Sequence, residues 1–129
     1  MPAINQIEFH PSAQQPTVLA AAKKLGVQIL GYAMCHDVMY NANPVLTEIG
    51  KSTGRSPYQV VLRWVNQKGV AAIFGSSERW QQEENIKALD GPDLSPADMA
   101  KIDALDRNRP IFFAMEAAEQ TLRNGPNYG

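Results

Sequence analysis

Three short phrases carry the side chains best suited to chemistry. They are Asn5-Gln6-Ile7-Glu8-Phe9-His10-Pro11, Gly31-Tyr32, and Ile73-Phe74-Gly75-Ser76-Ser77 followed by Glu84-Asn85. Each sits at the C-terminal end of a strand-like run, where parallel α/β proteins place their chemistry. Attack on a substrate is poorly served. The single cysteine, Cys35, stands beside His36, but no third group orients the pair, and a buried thiol fits better than a nucleophile. No Cys/His cluster has metal-ligand spacing, and no Gly-rich phosphate loop or Ser–His–Asp pattern stands out. What the phrases do supply is an amide that both donates and accepts (Gln6), a ring that can stack (Tyr32), a hydroxyl (Ser76) and the Glu84-Asn85 pair.

The elements that must position these groups alternate. Ile4–Phe9 reads as a strand closed by Pro11, and Pro16 opens a helix to about Leu25, with Leu19, Ala22 and Leu25 as its buried stripe and Gly26 as its C-cap. Val27–Tyr32 is a second strand, and Ala33–Asn43 has no clear period and is expected to be a loop. Pro44–Lys51 forms a short helix. A longer one starts at Ser56-Pro57, as N-cap and N1, with Val60, Val61, Trp64 and Val65 as its apolar face and Gly69 at its end. Val70–Phe74 is wholly apolar and is expected to be a buried parallel strand. Helices follow from Arg79 to Leu89 and after Ser95-Pro96, the latter burying Met99, Ile102 and Leu105. Helical crossovers of this length connect parallel strands, normally right-handed. Periodicity stops at parallel α/β: an open three-layer sheet and part of a barrel read alike.

Composition sets the outer bounds. The 129 residues suffice for one domain with its own core, but a closed (β/α)8 barrel typically needs ~250. Hydrophobic residues at 44% and charged ones at 19% are ordinary for a globular chain. Twelve basic against thirteen acidic side chains, a net charge of −1, argue against nucleic-acid binding. One cysteine fits a reducing compartment, Met1-Pro2-Ala3-Ile4 does not read as a secretory signal, and the apolar runs are too short to span a bilayer. A cytoplasmic protein without membrane contact is expected. Trp64, Met99 and Phe112-Phe113 read as packing groups, and Lys23-Lys24 and Glu83-Glu84 as solvated faces.

Taken in order, the phrases resemble the second half of an aldo-keto reductase. The most specific piece is Asn5-Gln6-x-Glu8-x-His10-Pro11, supported by Ser56-Pro57-x-Gln59-Val60-Val61-Leu62-Arg63-Trp64, by Glu84-Asn85, and by Leu94-Ser95-x-x-Asp98-Met99-x-x-Ile102. The resemblance runs from about residue 5 to 108. It implies the last three strands of a TIM-type (β/α)8 barrel with their helices, over residues 1–108, followed by a tail over 109–129 that ends in a loose Asn-Gly-Pro-Asn-Tyr-Gly.

The resemblance also implies roles. Gln6 matches the glutamine that binds the nicotinamide carboxamide, and Tyr32 the aromatic that stacks on the nicotinamide face. Ser76 matches a serine of the turn that holds the adenosine 2′-phosphate, and Glu84 and Asn85 match residues that bind the adenine edge. His10 falls at a structural position of the motif, not a proton-transfer one. Three departures matter. Ala33-Met34-Cys35 stands where the family has a Ser-Pro-Leu-like turn, Gly75 replaces the lysine of the phosphate turn, and Gln81 falls at its arginine. Without those two cations the attraction for a phosphate dianion largely goes, and Glu78 adds repulsion. The expected cofactor is NAD(P), with NAD(H) at least as suited as NADP(H).

The family's tyrosine proton donor and the aspartate, lysine and histidine that tune it belong to early strands, and none maps onto this chain; Tyr40, Tyr58 and Tyr128 lie elsewhere. No catalytic residue and no metal site are therefore assigned. The expected function is that of an aldo-keto reductase-like NAD(P)-dependent oxidoreductase, or the C-terminal part of one, inactive by itself and acting on a carbonyl when completed by a first half. The alternative is a non-catalytic half-barrel that binds a dinucleotide or a protein partner. Three parallel strands cannot close a barrel, so self-association or a partner chain is expected.

Overall fold

The computed structural model describes residues 1–39 and 42–111. Three strands, β1 (Ile4–Glu8), β2 (Gln28–Tyr32) and β3 (Ala71–Ala72), form a parallel sheet in the order β1-β2-β3. Gln6 lies opposite Leu30, Glu8 opposite Tyr32, and Gly31 opposite Ala72. Because strand side chains alternate, Phe9, Ile29 and Gly31 share one face while Gln6, Glu8, Leu30 and Tyr32 share the other. The first face carries the core. Phe9 stacks on Trp64 with centroids 5.0 Å apart and planes within 5°. Gly31 is there because a Cβ would stand 2.9 Å from Val70 Cγ1 and 3.2 Å from Phe9 Cβ.

Helix α1 (Pro16–Leu25) returns the chain from β1 to β2, and Gly26, at φ 68°, turns it with its N–H on the carbonyls of Ala22 and Lys23. It meets the core through Val18, Leu19 and Ala22. Leu25 was expected in that stripe but is 52% exposed; it falls in the last turn, where Gly26 already redirects the chain.

Between β2 and β3 lie three helices: α2 (His36–Met39), α3 (Pro44–Thr53) and α4 (Pro57–Gln67). The loop expected over Ala33–Asn43 thus contains a single helical turn. Four residues are too few to show an amphipathic period, and the turn is held instead by the buried Asp37. Tyr40 lies outside the described residues.

Helix α4 is the hub. Ser56 and Gln59 form a reciprocal capping box, and Val60, Val61, Trp64 and Val65 are fully buried, as their spacing predicts. The Trp64 N–H donates to Asp103 Oδ1 at 2.9 Å. Arg63 pins the following loop, donating to the carbonyls of Leu89 at 2.6 Å and Gly91 at 2.9 Å and pairing with Asp93 at 2.7 Å.

Strand β3 is shorter and barer than expected for Val70–Phe74. Only Ala71 and Ala72 pair with β2. Val70 is buried, but Ile73 and Phe74 are 38% and 45% exposed. β3 is the last strand of the described sheet, so its outer edge has no partner there, and apolar composition reports a tendency to be covered without naming what covers it. Helix α5 (Arg79–Lys87) buries none of its own residues. Helix α6 (Pro96–Asp103) is capped by Ser95, whose oxygen accepts from the Asp98 N–H; Ile102 is buried, with Met99 and Leu105 half-buried against the core. Phe112, Phe113 and the Asn-Gly-Pro-Asn-Tyr-Gly end lie outside the described residues.

Candidate functional site

A cleft of about 550 Å³ opens beyond the C-terminal ends of β2 and β3. Its walls are Tyr32 and the turn Ala33–His36, Met39 at the end of α2, Tyr58 in the first turn of α4, the segment Ile73–Ser76, and Trp80, Gln81, Glu84 and Asn85 on α5. Tyr32, Ser76, Glu84 and Asn85, far apart in the chain, therefore meet in one place. Gln6 does not line this cleft. It is exposed on β1, two residues before Glu8 on the sheet face shared with Tyr32.

The polar groups of the cleft are ordered by one another. The Asn85 amide donates to Ser76 Oγ at 2.9 Å, and the Gln82 amide to the Ser76 carbonyl at 3.0 Å, so α5 holds the turn after β3 in place. Glu84 reads in sequence as a solvated face, but it is half-buried and accepts a hydrogen bond from the Ser56 hydroxyl; its backbone carbonyl accepts from the Gln59 amide at 3.3 Å. This ties α5 to the N-cap of α4, a link that neither helix reveals alone. Glu83 is a solvated residue, paired with Arg79 at 2.9 Å. Burial, and then the charge of Glu8, push the Tyr32 phenol above its ordinary pKa. Burial, and then the charge of Glu84, push the Cys35 thiol up to about 12. Near neutral pH, Cys35 is a thiol and no nucleophile.

Beside the cleft, His10 is fully buried between two carboxylates. Its Nδ1 lies 3.0 Å from Asp37 Oδ2 and its Nε2 2.8 Å from Glu8 Oε1. Burial alone lowers an imidazole pKa; the hydrogen bonds and charges of Asp37 and Glu8 outweigh that and raise it. Burial likewise disfavours the Asp37 carboxylate, but His10, the Ser12 hydroxyl and the Ser12 N–H hold it well below the usual carboxylate range. The result is a buried brace. Ser12 extends it, its carbonyl accepting from the N–H groups of Arg107 and Arg109, both at 3.1 Å.

Sequence reading missed Trp80, Phe74 and Tyr58 as lining residues. A signal for Trp80 existed, a single aromatic in the stretch Arg79–Lys87, where Ile86 is the one other apolar residue. Among the described residues, no lysine or arginine lines the cleft, no group of side chains could hold a metal ion, and no helix is long and apolar enough to cross a membrane.

The profile of the Aldo/keto reductase family matches residues 36–107. The chain is similar to a glyoxal reductase of Bacillus subtilis (strain 168), at 36% identity over 110 residues that cover 85% of this chain and 40% of that one. It is also similar to a morphine 6-dehydrogenase of Pseudomonas putida, at 34% over 119 residues, covering 82% and 40%. A solved structure of a Gox0644 mutant in complex with NADPH superposes with a TM-score of 0.81 at 28% identity, covering 88% of this chain and 42% of that one. The chain spans about two fifths of the length of the curated relatives it matches.

Proposed function

The chain belongs to the aldo-keto reductase family, and from that premise we propose that it forms the cofactor-holding side of an NAD(P)-dependent oxidoreductase acting on a carbonyl or alcohol. One observation carries this reading: Tyr32, Ser76, Glu84 and Asn85 converge on a single cleft at the C-terminal ends of parallel strands. When bound, the dinucleotide would supply hydride to a carbonyl in its reduced form or accept it from an alcohol in its oxidised form. The chain's own residues bind and orient it. Tyr32 offers a flat, half-buried ring for stacking against the nicotinamide. Gln6, on the same sheet face, offers an amide that donates and accepts toward the carboxamide. Ser76, Glu84 and Asn85, already hydrogen-bonded into α4 and α5, supply a prearranged polar wall for the adenosine end.

The three strands and their helices correspond, in this proposal, to the last three strands of a (β/α)8 barrel, with residues 1–108 as the half-barrel and 109–129 as a tail. Cytoplasmic residence belongs to the proposal too, and rests on the single cysteine. The 129 residues alone do not turn over a carbonyl. Reduction needs a proton donor and a polarising environment at the new alkoxide, and neither maps onto these residues. His10 is no substitute, enclosed as it is between Glu8 and Asp37.

A second reading is a non-catalytic module that binds a dinucleotide or a protein partner. It is favoured by the exposure of Ile4, Ile73 and Phe74 on or beside the outer strands, which suits self-association or a completing chain. A pair of measurements tests what the two readings share, dinucleotide binding and inactivity of this segment. Titration with NADH and NADPH, beside an assay of their consumption with small aldehydes, should show binding weakened by Tyr32→Ala and no turnover. Robust turnover abolished by Tyr32→Ala would overturn the claim that the segment is inactive. Sedimentation showing a stable monomer at micromolar concentration would count against association.

A further inference from the structure

We propose that Trp80 is the platform on which the adenine of the dinucleotide stacks, and that this cleft selects the dinucleotide lacking a 2′-phosphate. The inference rests on the reading of the cleft as a dinucleotide site and adds to it a residue and a ligand form.

Trp80 is 61% exposed and lines the cleft. It stands in the first turn of α5, a helix that buries none of its own residues, so the ring is not what packs that helix onto the core. A tryptophan left this open is informative, because the residue is highly buried on average. Its setting suits a base. Glu84 follows Trp80 by four residues and Asn85 follows Gln81 by four, so ring, carboxylate and amides lie on one side of the helix. Asn85 is fixed by its 2.9 Å bond to Ser76 Oγ. A flat ring beside fixed donors and acceptors gives a purine both a face to stack on and an edge to bond.

The charges of the same wall decide the second half of the inference. Gly75 and Gln81 carry none, and Glu84 is the one carboxylate among the described lining residues. Arg79, the nearest arginine in sequence, has a 91% exposed side chain and is paired with Glu83 at 2.9 Å. A 2′-phosphate dianion would enter a wall with no cation to meet it and one anion to repel it. Free ribose hydroxyls meet no such penalty. Stacking on Trp80 takes over from ionic attraction as the grip on the adenosine end.

Tryptophan emission and calorimetry test this with NAD+, NADP+ and nicotinamide mononucleotide on the purified chain. Trp64 is fully buried against Phe9, so ligand quenching reports Trp80. NAD+ should quench and bind more tightly than NADP+. Trp80→Ala should weaken NAD+ about tenfold or more, Trp80→Phe should keep most of the affinity, and nicotinamide mononucleotide should bind both variants as it binds the parent. Equal NAD+ affinity in Trp80→Ala overturns the platform while leaving the dinucleotide site standing. NADP+ binding as tight as NAD+, or tighter, overturns the selection. Failure of every dinucleotide to bind overturns the proposed function, and this inference with it.

Discussion

Asp37 Oδ2 lies 3.0 Å from His10 Nδ1, joining the loop after β1 to a one-turn helix 27 residues later. Since Glu8 holds the other ring nitrogen at 2.8 Å, the imidazole is clamped at both ends. The contact fixes where α2 sits, and α2 carries His36 and Met39 into the wall of the cleft. His36 faces the same ring, with centroids 5.6 Å apart. A structural brace thus sets one wall of the ligand site.

The brace makes stability depend on pH from both sides. His10 is raised above 6.5 in the folded chain, so its contribution is complete below 6.5 and is lost as pH rises through the folded value. Asp37 is lowered from 3.8, so its contribution is complete above 3.8 and is lost as pH falls through the folded value. The brace therefore contributes most between those two pH values. Urea midpoints should fall from about pH 5.5 to about pH 8.5, and the fall should flatten in His10→Gln. An unchanged slope in that variant would remove His10 as the cause.

Asp37→Ala should be severe. The substitution leaves His10 buried beside one carboxylate and strips Ser12 of the acceptor for its hydroxyl and its N–H. Breaking a buried pair in this way costs about 3–5 kcal/mol. Equilibrium denaturation of Asp37→Ala measures it; a loss within ordinary surface scatter would mean that solvent reaches the brace.

Two glycine substitutions should destabilise for different reasons. In Gly31→Ala the new methyl stands 2.9 Å from Val70 Cγ1, and Val70 is β-branched and stiff. In Gly50→Ala it stands 2.7 Å from the Arg55 carbonyl oxygen, a backbone atom at the turn into α4. Overpacking of this kind costs about 1–3 kcal/mol, and Gly50→Ala should lie at the upper end because backbone yields less readily than a side chain. Thermal melts of the two variants give the order.

Cys35 should be inert. Its thiol is pushed up to about 12, and the thiolate is the reactive form. A disulfide reagent at neutral pH should label the folded chain far more slowly than the urea-unfolded chain. Equal rates would place Cys35 in solvent and remove the burial that raises it.

How much of this was legible in the sequence follows the range of each interaction. Local rules sufficed for the caps: Ser56-Pro57-Tyr58-Gln59 is itself a capping box, and Gly26 ends α1 because few other residues take φ 68° there. They also sufficed for the face of α4, since Val60, Val61, Trp64 and Val65 recur at helical spacing, and the apolar runs with helical crossovers between them imply parallel strands. The family phrases named Gln6, Tyr32, Ser76, Glu84 and Asn85 as partners without any geometry, and the fold brings the last four, but not Gln6, to one cleft. Tertiary structure alone decided the rest. Leu25 and Phe74 are as apolar as Ala22 and Val70, and their exposure depends on what stands opposite them, which no local pattern records. Glu84 looks like a solvated charge until α5 lies against the N-cap of α4 and the Ser56 hydroxyl reaches it. His10 already reads as structural from its place in the motif, but its partner Asp37, from a turn with no readable period, is set only by the fold. Each of these outcomes turns on a contact between distant segments, and such a contact exists only once the chain has folded.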